Sequence, residues 1–228
     1  MTATDSSVHS LPAERAIRSL VEQADLYFAA LSGPGPAEVR AGLARWRSAA
    51  FVPGTATASA VIDTWLPVAL QQLAPTHAPL AAAIDAAQRH LCWFVFDGYP
   101  TDAAGADFLA KHAYAPIIGE TAAIPAVDWE MGLFLIAPHV LYRDHRHQAS
   151  ELYAPLTGPH GWRFGAQRPL RILPAHQPVW NEPFAPHLTK VGPTPFLGLY
   201  AWTRDINAGA EIVPATDWSA LETLRLEP

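Results

Sequence analysis

The sequence predicts a mainly β fold with an α-helical N-terminal part, and three observations carry that prediction. Apolar residues in the first half recur at helical spacing. Beyond about residue 125 they give way to short apolar or alternating segments separated by proline, glycine and aspartate. Many of the 22 prolines lie between those segments, where they preclude long helices. The expected organisation is a helical region over residues 1–125 packed on a β-barrel at 126–228, forming one compact unit.

The first helix is expected from the spacing of Ile17, Leu20, Val21, Ala24, Phe28 and Leu31, with Ser10 as N-cap and Pro12 near the first turn. The run SGPGP, residues 32–36, ends it. Further helices are expected near residues 37–48, 59–73 and 79–94, and a shorter one near 103–112. The strand candidates are GLFLIAP, HVLY, ELYAPL, GWRFG, PLRILP and PFLGLYAW, whose regular spacing suggests a sandwich or barrel.

Composition narrows the function classes. Half of the 228 residues are hydrophobic and 16% are charged, enough for a sizeable core. The net charge of -6, with no Lys/Arg cluster, argues against a nucleic-acid or anionic-membrane surface. Cys92 is the single cysteine, so neither an internal disulfide nor a thiolate cage can form. The N-terminus has no signal-peptide pattern, and the apolar runs are too short to span a bilayer, so a soluble cytoplasmic protein is expected.

The segment HRHQASELY, residues 145–153, carries its chemistry at odd positions only: His145, His147, Glu151 and Tyr153. On a strand, side chains two apart share a face, so these four could point the same way. Imidazole and carboxylate groups converging on one face suggest a divalent metal site. Zinc, iron, manganese, nickel and cobalt all suit such ligands. A His-x-His pair alone is usually a surface or hydrogen-bonded feature; here glutamate, parity and a later glycine, Gly158, accompany it.

His145-x-His147-x-x-x-Glu151 followed by Gly158 resembles the first motif of cupins, double-stranded β-helix (jelly-roll) barrels. The resemblance implies a barrel covered by the N-terminal helices, with one divalent metal inside it. It also implies a later histidine ligand, for which His187 in EPFAPHLTK is the natural candidate. The second motif is degenerate around His187, and His139 stands where the first motif has a glycine.

Over roughly residues 105–205 the chain looks like the cupin-type dimethylsulfoniopropionate (DMSP) lyases, the DddL, DddQ, DddK and DddW group. The resemblance rests on GLFLIAPHVLYRDHRHQASELYAPLTG and the tryptophan, histidine and tryptophan that follow. It implies metal ligands at His145, His147, Glu151 and His187. Tyr153 is then the candidate base, Tyr142 an assisting or substrate-contacting residue, and Trp202 a pocket tryptophan. The implied reaction is β-elimination of a small zwitterion to dimethyl sulfide and acrylate, with proton abstraction assisted by tyrosine.

Trp162, Trp180 and Tyr200 also lie in the barrel half, but aromatics in small barrels are more often plain core. His139, His160 and His176 are expected to be structural or exposed, and Arg143 and Lys190 are either carboxylate partners or solvated charges. A cupin metalloenzyme acting on another small carboxylic acid, as oxygenase or isomerase, is the second enzymatic reading. A non-catalytic small-ligand-binding cupin is the third. The native metal and the oligomeric state, a homodimer included, stay open.

Overall fold

The computed structural model describes residues 6–96 and 98–227. Three long helices come first: α1 (Ser6–Ala30), α2 (Pro34–Trp46) and α3 (Ala60–Gln88). Nothing in the polar run before Ser10 breaks a helix, so α1 starts upstream, leaving Ser10 and Pro12 in its interior rather than at its start. Gly33, with φ 113, makes the turn out of α1 that a side chain would resist, and Pro34 opens α2 where no N–H is needed. The two helices expected at 59–73 and 79–94 are continuous as α3, kinked at His77 (φ -137, ψ 53) between Pro75 and Pro79.

The helix expected at 103–112 is two short turns, α4 (Thr101–Ala104) and α5 (Ala106–Ala110), broken at Gly105. Strands begin at β1 (His112–Gly119) and β2 (Ile124–Pro125), earlier than the change of pattern near residue 125. There follow β3 (Glu130–Ile136), β4 (Leu141–Arg146), β5 (Glu151–Pro155), β6 (His160–Phe164), β7 (Arg171–Leu173) and β8 (Val179–Asn181). The chain continues through β9 (His187–Lys190), β10 (Phe196–Trp202), β11 (Glu211–Ile212) and helix α6 (Trp218–Thr223).

The strands form two facing sheets, ordered β2-β1-β3-β10-β5-β8 and β11-β4-β9-β6-β7. This is a double-stranded β-helix barrel, the cupin architecture. The six-stranded sheet is buried on both faces, which explains why GLFLIA and FLGLYAW read as nearly continuous apolar runs. Met131, Leu133, Leu135, Leu152, Ala154, Leu197 and Leu199 face outward and join Ile17, Leu20, Phe28, Leu66, Leu73 and Ile84 of α1 and α3 in one core. The alternate residues Phe134, Ile136, Tyr153, Phe196 and Tyr200 face inward and form a second, aromatic cluster with Tyr142 and Trp162.

The helices therefore seal the outside of one sheet, and the barrel interior is left for the aromatic residues. Gly132 belongs to this arrangement, because a Cβ there would lie 2.7 Å from the Tyr200 ring and 2.3 Å from the carbonyl oxygen of Ala115.

Candidate metal centre and cavity

His145, His147, Glu151 and Tyr153 do not share one strand, as their parity suggested. His145 sits on β4 of the five-stranded sheet, while Glu151 and Tyr153 sit on β5 of the six-stranded sheet. His147 belongs to the link at residues 147–150 that carries the chain from one sheet to the other. The four converge because they flank a crossing between facing sheets. His187 on β9 is the direct partner of His145 across the β4–β9 ladder, which brings the later histidine to the same spot.

The ligand atoms of His145, His147 and His187 lie within 4.8 Å of one another, so these three buried histidines could hold a metal ion. The local hydrogen bonds prepare them for it. His145 Nδ1–H donates to the Arg143 carbonyl (2.9 Å), His147 Nδ1–H to that of Ala149 (2.8 Å), and His187 Nδ1–H to that of Ala185 (2.9 Å). Each carbonyl lies two residues away in the chain, so the backbone itself fixes every ring and leaves Nε2 facing the cluster. The Nε2 atoms of His145 and His187 are buried and have no hydrogen-bond partner. Two orphaned imidazole nitrogens at one point fit a metal far better than a packed core.

Glu151 closes the cluster from the opposite sheet. Its Oε2 accepts hydrogen bonds from His147 Nε2 (3.1 Å) and Asn181 Nδ2 (2.9 Å), and Oε1 accepts one from Trp202 Nε1 (2.7 Å). His187 Nε2 is 3.2 Å from the same carboxylate, but not in hydrogen-bond geometry. Burial alone would raise the Glu151 pKa; the facing His147 and His187 outweigh it and hold the carboxyl well below its usual range. Burial would also lower His147, yet the facing Glu151 carboxylate outweighs it and raises the pKa above its usual value. His145 is driven the other way, first by burial and then by its two histidine neighbours.

Tyr142 has the wrong parity to share a face with His145 on a regular strand. The β4–β9 register shifts between these residues, so Arg143 and Asp144 together oppose Leu188. This β-bulge turns both side chains inward. The Tyr142 ring then stacks on His145 at 3.8 Å and 15°, and its hydroxyl shares a 3.0 Å hydrogen bond with that of Tyr99. Both bulge residues are anchored outside the cavity. Arg143 donates to Glu222 and to the Asp102 and Ala103 carbonyls, and Asp144 accepts from Arg163 and Trp218.

Beside the cluster lies a cavity of ≈ 230 Å³ whose wall includes Tyr142, Tyr153, Glu151 and Trp202. Sequence reasoning missed the rest of that wall, including Phe96, Tyr99, Tyr114 and Glu130, and treated Tyr200 as core. Phe96 and Tyr99 reach it from the segment after α3, which no strand or helix pattern marks. Glu130 carried a signal, since it shares strand parity with Gly132 and Phe134, but its place opposite the metal cluster depends on the sheet order.

The phenols of Tyr142 and Tyr153 are both raised well above the usual tyrosine pKa. Burial is the main cause for each; the Glu151 charge follows for Tyr153 and the neighbouring Tyr99 for Tyr142. Trp202 has a role beyond its ring face, because it braces Glu151 and packs over His147 at 4.6 Å. Trp162 is fully buried against Tyr153, and Trp180 is tied to Glu182. Arg143 meets the Glu222 carboxylate, and Lys190 caps the His139 and Glu222 carbonyls. His160, between Thr157 and the Gly192 N–H, and His176, beside Tyr27, lie outside the cluster.

A double-stranded β-helix barrel with three histidine Nε2 atoms gathered beside an aromatic cavity defines a cupin with a candidate metal centre. The sequence model of the dimethylsulfoniopropionate lyase family matches residues 54–198, and the chain belongs to that family. It is 27% identical over 108 residues to the dimethylsulfoniopropionate lyase DddQ of Ruegeria pomeroyi, covering 47% of this chain and 53% of the relative. The chain thus matches about half the length of that curated relative. The crystal structure of DddQ from R. pomeroyi superimposes with a TM-score of 0.62 at 22% identity, covering 87% of this chain and 96% of that one. A crystal structure from work on the DMSP lyases RdDddP and RnDddQII reaches 0.70 at 22% identity, covering 89% and 100%. At this identity the two structures attest the fold.

Proposed function

We propose that the protein is a metal-dependent carbon–sulfur lyase of the cytoplasm that cleaves DMSP to dimethyl sulfide and acrylate. The observation that carries the reading is the buried histidine cluster beside an aromatic cavity of ≈ 230 Å³, joined to it through Glu151 and Tyr142, which line the cavity and contact His147 and His145. One end suits a carboxylate and the other a dimethylsulfonium, and membership of the family supports the same substrate. His145, His147 and His187, with Glu151 as fourth ligand, would hold one divalent ion: zinc, iron, manganese, nickel or cobalt. When bound, the metal supplies Lewis acidity toward a carboxylate and positive charge that favours a phenolate.

The chain's own residues perform the rest. Tyr153 takes the proton from the carbon next to the carboxylate, the carbon–sulfur electron pair leaves with dimethyl sulfide, and the new double bond gives acrylate. A buried phenol is a poor base unless a cation offsets its burial, and Tyr153 stands two residues from Glu151 on β5, beside the cluster. Tyr142, held by Tyr99 and lying flat on His145, orients the substrate or hands on a proton. Phe96, Phe134 and Trp202 exclude water and present faces to the sulfonium.

The test is headspace detection of dimethyl sulfide from DMSP, using protein stripped with a chelator and then reloaded with each divalent metal. Release that depends on metal, with equimolar acrylate, is expected. Metal-loaded protein that binds DMSP without releasing dimethyl sulfide would reject the lyase reading.

A further inference from the structure

Glu130 is a carboxylate of the cavity wall that the elimination chemistry leaves unused. It opens β3 and pairs with Trp202 of β10, whose other neighbour is Glu151 of β5. The three therefore form one row across the sheet, with a carboxylate on each side of the tryptophan. Glu151 belongs to the histidine cluster, and Glu130 lies two strand spacings away, on the order of 10 Å along the backbone. Both line the cavity.

The Glu130 carboxylate is held in place rather than neutralised. Tyr200 Oη donates to its Oε1 at 2.7 Å, and Gly119 leaves room for its other oxygen, which a Cβ there would approach to 3.1 Å. Among the described residues no lysine, arginine or histidine forms an ion pair with it. Burial raises its pKa and the nearby Glu120 adds to the effect, as expected of a carboxyl group lacking a cation. Glu130 itself is half-buried at the start of β3. Here the free space in front of the carboxylate is the cavity itself.

We infer that Glu130, braced by Tyr200, is the anionic pole that receives the cationic end of the substrate and makes the site select sulfonium or quaternary-ammonium acids over uncharged acids of the same shape. The inference rests on the proposed function for its substrate class. Aromatic faces alone attract a cation modestly, and they accept an apolar group of equal size almost as well. A fixed carboxylate on the cavity wall adds direct Coulomb attraction and penalises a neutral group that would bury it unpaired. Since Glu130 and the histidine cluster stand at opposite ends of one row, a short zwitterion is read at both poles.

Two acids that differ only in charge test this: 3-(trimethylammonio)propanoate and 4,4-dimethylpentanoate. Their binding to the metal-loaded protein is measured by calorimetry, with no need for turnover. The wild type is expected to prefer the cation by at least about tenfold, and Glu130→Gln to cut that preference at least about fivefold by weakening the cation alone. An unchanged preference, equal weakening of both acids as for a mere brace of Tyr200, or a wild type that fails to discriminate would each overturn the inference. Absence of dimethyl sulfide from DMSP would instead reject the lyase reading and leave this comparison standing.

Discussion

Asp144 holds the bulge that turns Tyr142 and His145 into the cavity, so removing its charge should cost both stability and metal affinity. It is fully buried, accepts from Arg163 Nε at 3.0 Å and from Trp218 Nε1 at 2.8 Å, and pairs closely with Arg163 Nη2 as well. Asp144→Asn leaves the buried Arg163 guanidinium with only Asp217, 2.6 Å away on a half-exposed side chain. Breaking a buried ion pair from one side costs about 3–5 kcal/mol; the remaining pair with Asp217 places the expectation near ~3 kcal/mol. For a chain of this size that corresponds to a fall in Tm of roughly 6–12 °C. Urea and thermal unfolding followed by circular dichroism measure it, and a metal titration follows the loosened His145. The variant Asp144→Leu with Arg163→Leu should recover most of the lost stability, because no charge is then left buried alone. A loss below ~1 kcal/mol for Asp144→Asn would refute the view that this pair anchors the bulge.

Other expectations follow from the same geometry. Tyr153→Phe removes only the hydroxyl, so metal content and DMSP binding should persist while kcat falls on the order of 10²–10⁴-fold; near-normal turnover would move the base role to Tyr142. Trp202→Phe loses the donor to Glu151 but keeps a ring, so metal affinity should fall about tenfold or more in both Trp202→Phe and Trp202→Ala. Binding of 3-(trimethylammonio)propanoate should suffer further only in the alanine variant, and equal losses there would assign the ring to packing. His112 and His160 are buried neutral, each accepting a backbone N–H, and burial lowers their pKa values to about 4 and about 3. Their folded pKa values lie below the unfolded value, so stability is full above pH ~6.5 and falls as the pH drops toward 4, by about 2 kcal/mol per histidine at pH 5. Flat urea midpoints between pH 7 and pH 5 would contradict this.

The helical first half and the strand-rich second half were legible because periodicity is local. Ile17, Leu20 and Phe28 mark one helix face, and Met131, Leu133 and Leu135 mark one sheet face, whatever surrounds them. The merging of two expected helices into a kinked α3 was not legible, since prolines at 75 and 79 read as breaks and only packing on the sheet favours continuation. Strand β1 escaped because its run HAYAPIIG, buried nearly throughout, lacks the alternation that marks a half-exposed strand.

The candidate ligands were readable from residue type and spacing, together with the family resemblance, yet the reason for their convergence was not. Parity suggested one strand and one face. The fold instead places His145 and Glu151 on different sheets, joined by a link that carries His147. A sequence by itself determines what each short segment prefers: a period, a turn, a set of donors with the right chemistry. The register that seats His187 beside His145, the bulge that brings in Tyr142, and the row that sets Glu130 opposite Glu151 are decided only by the tertiary structure. Each depends on hydrogen-bonded pairing between strands distant in the chain, and a local run of residues carries no record of its partner.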